Sequence, residues 1–179
     1  MSIQRKRALP LGVKSLTEDA LLRVVDVRVE DALAYCGQRR RLLKTTEGFV
    51  KRKHFRDFII EDFKIQWISP KKKASKTCIQ VGDISRLLSG TDADSAFVKR
   101  NKSREVQELS LELHTRQRPL RLTCSSTEEW KFFMVAIASL MDQVERQAKE
   151  AKCAISGFLK QQWALADVDG TGPSTPTSR

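Results

Sequence analysis

The chain has 179 residues, is 40% hydrophobic and carries a formal net charge of +11. This composition excludes a chain too polar to fold and favours one domain with extensions. Because no run approaches the ~20 apolar residues of a membrane span and the N-terminus lacks the apolar core of a signal peptide, we expect an intracellular, soluble protein.

The positive charge is concentrated in one part of the chain. Between Arg39 and Lys76, thirteen lysines and arginines face four acids, so this window holds nine of the eleven excess charges. A basic cluster of this kind predicts an anionic partner, either nucleic acid or a lipid surface.

Four cysteines lie far apart in the sequence, without a CxxC pair or a Cys/His ligand spacing: Cys36, Cys78, Cys124 and Cys153. In the cytosol they should be reduced, and we interpret them as small buried residues rather than metal ligands.

The N-terminal region is predicted to be helical between residues 15 and 37, either as one helix or as two pieces. Ser15 and Glu18 form a capping box, and Gly37 is a stop signal. The interior "VVDVRV", however, alternates like a strand.

The middle of the chain alternates apolar and polar residues with a period of two, which is typical of half-buried strands. Glu61 and Asp62 interrupt two such runs and predict a tight hairpin, whereas the polar residues 91–107 predict a surface loop. The candidate strands are RLLKTT, HFRDFII, FKIQWIS, CIQV, ISRLLS, ELSLELHT and PLRLTC. About seven short strands at this spacing predict an antiparallel barrel or sandwich.

A helix with a strong start signal follows the strands. Ser126 and Glu129 form a capping box, and apolar residues then recur at steps of three and four from Trp130 to Val144. We expect this stripe to pack on the strands and to plug one open end of a small barrel.

Seven strands followed by an amphipathic helix with a tryptophan near its first turn resemble a pleckstrin homology domain. The match is closest to the domain that opens phosphoinositide-specific phospholipase C enzymes and their inactive relatives, through "GQRRRLLKTTEGFVKRKHFRDFIIEDFKIQWISPKKK" and "CIQVGDISRLLSG". This resemblance implies a partly helical N-terminal extension (1–32), the pleckstrin homology domain (33–143), a helix with an incomplete EF-hand start (144–172) and a disordered tail (173–179).

The segment "ISGFLKQQWALADVDGTG" resembles the entering helix and first half of an EF-hand. Asp167, Asp169 and Thr171 would be loop positions one, three and five, with Gly172 at the sixth. Because "PSTPTSR" supplies no glutamate for the twelfth position, we favour a helix stop and a disordered tail over a metal site.

The resemblance also implies a basic pocket for an inositol phosphate headgroup around the first strand, loop and strand. By position, the residues that resemble the headgroup ligands are Lys44, Lys51, Arg52, Lys53, His54, Lys71, Lys72 and Arg118. His54 stands where the family usually has an arginine before the aromatic residue, unless the register slips and Lys53 takes that place, and Thr46 replaces a second basic residue. Both departures lessen the selection of a bisphosphorylated headgroup.

We therefore predict a membrane-targeting module that is cytoplasmic and peripheral at the inner face of membranes, with phosphoinositides or other anionic lipids as partners and no cofactor. The alternatives are a docking adaptor of the same fold for a signalling protein and the N-terminal regulatory fragment of a phospholipase C. The basic clusters could also be an ordinary charged surface that contacts only solvent and has no partner.

Two function classes are disfavoured by the residues themselves. The chain lacks the length and residues for a phospholipase catalytic barrel, so we predict no enzyme activity. Nucleic-acid binding is disfavoured because Phe55, Phe58, Phe63 and Trp67 fall at core spacing rather than forming a stacking platform.

Overall fold

The computed structural model describes residues 16–46, 52–70, 76–100 and 103–166, without the side chains of Asp19, Arg100 and residues 164–166. The chain divides into two compact units, Met1–Val144 and Glu145–Arg179. Lys51, Lys71, Lys72, Asp167, Asp169 and Thr171, all named as candidate ligands above, lie outside the described residues.

Seven strands form one antiparallel sheet in the order β4-β3-β2-β1-β7-β6-β5. The strands are β1 (Arg40–Thr46), β2 (Arg52–Glu61), β3 (Lys64–Trp67), β4 (Cys78–Gln80), β5 (Ile84–Ser89), β6 (Ser110–Thr115) and β7 (Leu120–Thr123). All of the candidate strands of the sequence are present.

The helices are α1 (Glu18–Val24), α2 (Val29–Cys36), α3 (Ala96–Arg100), α4 (Arg104–Glu108) and α5 (Thr127–Ala166). The predicted N-terminal helix is therefore two helices. Residues 91–107, which were predicted to be a surface loop, contain α3 and most of α4. The prediction is also wrong for Phe97 of α3, because its side chain is buried.

The β2–β3 hairpin turns at Asp62 and Phe63, whose φ angles are 49° and 57°. Positive φ at both central residues is the two-residue turn that matches the twist of paired strands. Phe63, which the sequence pattern assigned to the strand, therefore lies in the turn, and β3 begins at Lys64 opposite Glu61.

The core lies on one side of the sheet, which we call the inner face and define by the buried residues Leu42, Phe58 and Ile65. Alternate residues of β6 and β7, Leu111, Leu113, Leu120 and Leu122, are buried in the same core. Side chains alternate between the two sides of a strand, so the neighbours of these residues point to the outer face.

The first half of α5 completes this core. Trp130, Phe133, Met134 and Ile137 are fully buried, and the Trp130 indole Nε1–H donates to the Ser110 carbonyl at 2.9 Å. The capping box is half realised: Ser126 Oγ accepts from the Glu129 N–H, but the Glu129 carboxylate accepts from Ser125. Seven antiparallel strands with a C-terminal helix confirm the predicted fold class.

The helices α1 and α2 pack over the start of α5. The Arg23 guanidinium lies 3.8 Å from the Trp130 ring centroid and donates to the Glu108 carbonyl. Tyr35 stacks on Phe132 with ring centroids 4.6 Å apart. Leu16, Ala20 and Val24 of the N-terminal region thus share one core with the strands. The domain boundaries given under the sequence analysis stay predictions.

A buried ion pair holds β6, β7 and α3 together on the outer face. Glu112 Oε1 accepts from Arg121 Nε at 2.9 Å and lies 2.8 Å from Arg121 Nη2, and both side chains are buried. Glu112 Oε2 accepts from the backbone N–H of Ala96 at 2.9 Å. The pair thereby fixes the start of α3 against the sheet.

The second unit contains the C-terminal part of α5. Within residues 145–166, the described large apolar side chains Ile155, Phe158, Leu159 and Trp163 are all exposed. In the described part of the chain, no helix is long and apolar enough to span a bilayer.

Replacing Trp130 with alanine should lower the free energy of unfolding by about 3 to 5 kcal/mol, because it empties a fully buried aromatic site. Chemical denaturation followed by far-UV circular dichroism measures the change. Trp163→Ala is the matched control, because Trp163 is 71% exposed. Its loss should change the free energy of unfolding by no more than about 0.5 kcal/mol. Equal midpoints for the Trp130 variant and the wild type would contradict the role of α5 as the plug.

Replacing Glu112 with alanine should cost about 3 to 5 kcal/mol, because it removes the carboxylate that holds the buried Arg121 guanidinium. The matched control is Glu108→Ala, which breaks the exposed Arg104–Glu108 pair and should cost at most about 1 kcal/mol. Thermal melts of both variants make the comparison. A Glu112 variant as stable as the Glu108 variant would show that the buried pair does not anchor α3.

Candidate functional site

Three connections leave the sheet at the same end, which we call the open end. Because every pairing is antiparallel, β1, β3 and β6 run in the same direction and finish at one edge. The β1–β2, β3–β4 and β6–β7 connections therefore start there, whereas β7 runs away from it and leads into α5. Trp130 and Ser110 lie at the other end.

Basic residues of β1 and β2 share the inner face near the open end. Lys44 is directly opposite His54, and Thr46 is directly opposite Arg52. Since Lys44 is also opposite the buried Leu122 of β7, this face is continuous with the core. The described part of β1 and β2 carries no carboxylate on its inner face.

Lys44 is the most enclosed of these residues, with 8% of its surface exposed. Its Nζ lies 3.7 Å from the centroid of the Trp67 ring, which is a favourable cation–π geometry. A charge held in a partly buried place is screened less by salt than one on the surface. Lys44 therefore places a fixed positive charge beneath the open end.

The other candidates differ in position. Arg52 and His54 are exposed on the inner face, whereas Lys53 is opposite Thr45 and lies on the outer face. Arg118 is in the β6–β7 turn, where Thr115 Oγ1 donates to its carbonyl and accepts from its N–H, so it lies at the open end. The structure thus brings Lys44, Arg52, His54 and Arg118 to one end.

Sequence reasoning missed two residues of this end. Arg56 is opposite Leu42, so it follows Arg52 and His54 at a step of two on the inner face. The period of β2 carried that signal. Trp67, assigned to the core by its spacing, is also the ring under the Lys44 ammonium, and no sequence pattern indicated that contact.

Two surface cavities lie elsewhere, and neither suits an anion. One of about 350 Å³ is lined by Asp57 and Glu61 together with Arg39, on the outer face of β2 and β3. The other, of about 440 Å³, is lined by three carboxylates, Asp26, Asp31 and Glu128, against two cations, Arg28 and Lys131. The carboxylates in each would repel a phosphate.

The cysteines and possible metal ligands form no site in the described part of the chain. Cys36 and Cys124 are buried, and burial raises the pKa of both thiols, so they remain protonated packing residues. Cys78 is half-buried and Cys153 is exposed. Within the described ranges, no three His, Cys, Asp or Glu side chains come together to hold a metal ion.

No protein-family model and no curated protein sequence matches the chain. Among solved structures it is similar to inner membrane complex sub-compartment protein 3 from Toxoplasma gondii (9% identity, 72% of this chain and 87% of that chain covered, TM-score 0.46). It is also similar to the human pleckstrin homology domain of pleckstrin homology domain-containing protein family A member 5 (14%, 58% and 75%, 0.44). A third is the pleckstrin homology domain of human TBC1 domain family member 2 protein (11%, 80% and 93%, 0.41).

The half-loop at Asp167 and Asp169 should not bind calcium at micromolar concentration, because the sequence supplies no bidentate glutamate at the twelfth loop position. Isothermal titration calorimetry with calcium chloride tests this expectation. A micromolar isotherm that disappears in Asp167→Ala would contradict it.

Proposed function

We propose that the first unit is a membrane-targeting module that holds the phosphorylated headgroup of a phosphoinositide at its open end. The observation that carries this proposal is the strand register, which turns Lys44, Arg52 and His54 to one face. The β1–β2 and β3–β4 connections, which contain Lys51 and Lys71 to Lys73, begin at the same end.

The chemistry of the ligand follows from the residue types. A phosphorylated inositol presents concentrated negative charge and many acceptor oxygens. Arginine supplies a planar fork of donors, and lysine supplies a compact charge, so together they provide both affinity and orientation. In this proposal the exposed guanidinium groups of Arg52 and Arg118 donate to the phosphates, and the enclosed Lys44 ammonium supplies a fixed charge beneath them.

The same basic residues would draw the domain to an anionic leaflet before any headgroup is bound. Each lysine or arginine near such a surface contributes about 1 kcal/mol and acts over about one Debye length. Peripheral attachment at the cytoplasmic face of a membrane is part of the proposal. His54 and Thr46, where the family has basic residues, predict modest rather than strict headgroup selection.

The proposal includes the narrower relationship to phospholipase C. In that case the chain is the non-catalytic, regulatory portion of such a protein, and residues 167–172 begin an EF-hand. The sequence segments quoted above support this relationship, and the half-loop itself lies outside the described residues.

Protein docking by the same fold is the second candidate, and the outer face supplies the observation that favours it. Phe55 is 59% exposed in the middle of β2, and Ile68 is half exposed at the end of β3. Both are large apolar side chains on the sheet surface away from the proposed pocket. A signalling protein that covers them would use a different face from the lipid.

Arg52→Ala should abolish most of the preference for phosphoinositide, because it removes an exposed guanidinium group from the inner face at the open end. The measurement is co-sedimentation with phosphatidylcholine vesicles that contain either phosphoinositide or phosphatidylserine at matched total charge. General electrostatic attraction responds only to surface potential, so it would give equal binding to the two kinds of vesicle. A pocket that recognises the headgroup should instead make the wild-type protein prefer the phosphoinositide vesicles. The preference should fall at least about fivefold in the variant, as expected for one lost charged hydrogen bond.

Arg41→Ala is the matched control, because Arg41 is an exposed arginine on the outer face of the same strand pair, opposite Asp57. It should lower binding to both vesicles slightly and leave the preference intact. Equal loss of preference in the two variants would reject a defined inner-face pocket. Absence of binding to either vesicle at physiological salt would reject the lipid proposal and favour protein docking.

A further inference from the structure

The C-terminal part of α5 carries an exposed apolar stripe, which we define as Ile155, Phe158, Leu159 and Trp163. Steps of three, four and eight residues place these side chains on one side of a helix. Their exposed fractions are 61%, 60%, 51% and 71%. Scattered apolar residues are ordinary on surfaces, but four large ones on one helix side indicate an interaction site.

The charges of the same helix segment are all positive. Between Ala151 and Ala166 the sequence has Lys152 and Lys160 and no carboxylate. An apolar stripe with lysines and no acids suits an anionic surface with an apolar interior. That combination, with tryptophan, phenylalanine and leucine on the apolar side, is typical of helices that lie in a membrane interface.

Two other occupants fit the stripe less well. Residues 167–179 contain one large apolar residue, Val168, so this segment lacks the side chains to cover four. A helix pair with a second copy needs apolar positions sustained over about three to four heptads. The stripe spans only residues 155–163, and alanines occupy positions 148 and 151 before it.

We propose that the stripe inserts into the interfacial region of an anionic bilayer. Ile155, Phe158 and Leu159 enter the boundary of the acyl chains, Trp163 lies at headgroup level, and Lys152 and Lys160 remain among the phosphates. This contact goes beyond the headgroup site and does not depend on it, because it responds to the bilayer interface rather than to headgroup shape. One weak membrane contact gives only reversible binding, whereas two give stable attachment.

Tryptophan fluorescence of the full chain tests the proposal directly. Trp67 and Trp130 are buried, and the loss of the emission change in Trp163→Phe assigns it to Trp163 rather than to Trp67 beside Lys44. Vesicles of phosphatidylcholine and phosphatidylserine in equal amounts, without phosphoinositide, should shift the emission to shorter wavelength. Lipids brominated near the headgroup end of the acyl chain should quench it. Pure phosphatidylcholine vesicles should give a smaller shift.

The double variant Phe158→Gln with Leu159→Gln should lower the apparent partition coefficient at least about tenfold, since it removes two large apolar side chains from the interface. Glutamine is a good helix former, so the helix should persist, which circular dichroism checks. Leu22→Gln is the matched control, because Leu22 is 72% exposed in α1, outside the stripe, and its loss should leave the partition coefficient unchanged.

The outcomes separate this proposal from the headgroup site and from other partners. A shift that survives Arg52→Ala supports the stripe even if the headgroup proposal fails. No shift with anionic vesicles would overturn the proposal and leave a protein partner as the occupant. Sedimentation equilibrium showing a dimer without lipid, which the double variant dissociates, would overturn it in favour of a second copy.

Discussion

The burial of Trp130 is the interaction that closes one end of the first unit. The indole fills the core beside the start of β6, donates to the Ser110 carbonyl and lies under the Arg23 guanidinium. α5 and the N-terminal helices close this end, and β1, β3 and β6 finish at the opposite end.

The second constraint is the strand register, which separates neighbouring basic residues by face. Arg52 and Lys53 are adjacent in sequence, yet one is opposite Thr46 on the inner face and the other is opposite Thr45 on the outer face. A shift of one residue would reverse the whole arrangement. The buried core residues of β1 and β2, Leu42 and Phe58, prevent that shift because it would expose them to water.

Much of this architecture could be predicted from the sequence, and the failures have physical reasons. The period of two in the strands and the capping signals before Trp130 report local side-chain demands, so they predicted the elements correctly. Helices of five residues such as α3 leave no periodic signal, and α3 is held instead by Phe97 and by the carboxylate of Glu112, which is distant in sequence. The sequence pattern likewise did not predict the positive φ angles of Asp62 and Phe63.

The candidate site was predicted less completely than the fold. The resemblance predicted Lys44, Arg52 and His54 as candidates, but only the paired strands show that they share a face and that Arg56 joins them. The contact of Lys44 with Trp67 depends on two strands that are not neighbours in the sheet, and no local pattern encodes it. Composition predicted an anionic partner, whereas the shared face of these basic residues follows only from the register.

We propose that one face of β1 and β2, at the open end, recognises a phosphorylated inositol. The most direct measurement is a titration of the isotopically labelled chain with soluble inositol 1,4,5-trisphosphate, followed by backbone amide chemical shifts. If the proposal is right, saturable shifts concentrate at Lys44, Arg52, His54 and Arg118, with little change at Arg41 and Phe55. Shifts centred on the outer-face residues, or no saturable shifts at all, would contradict it.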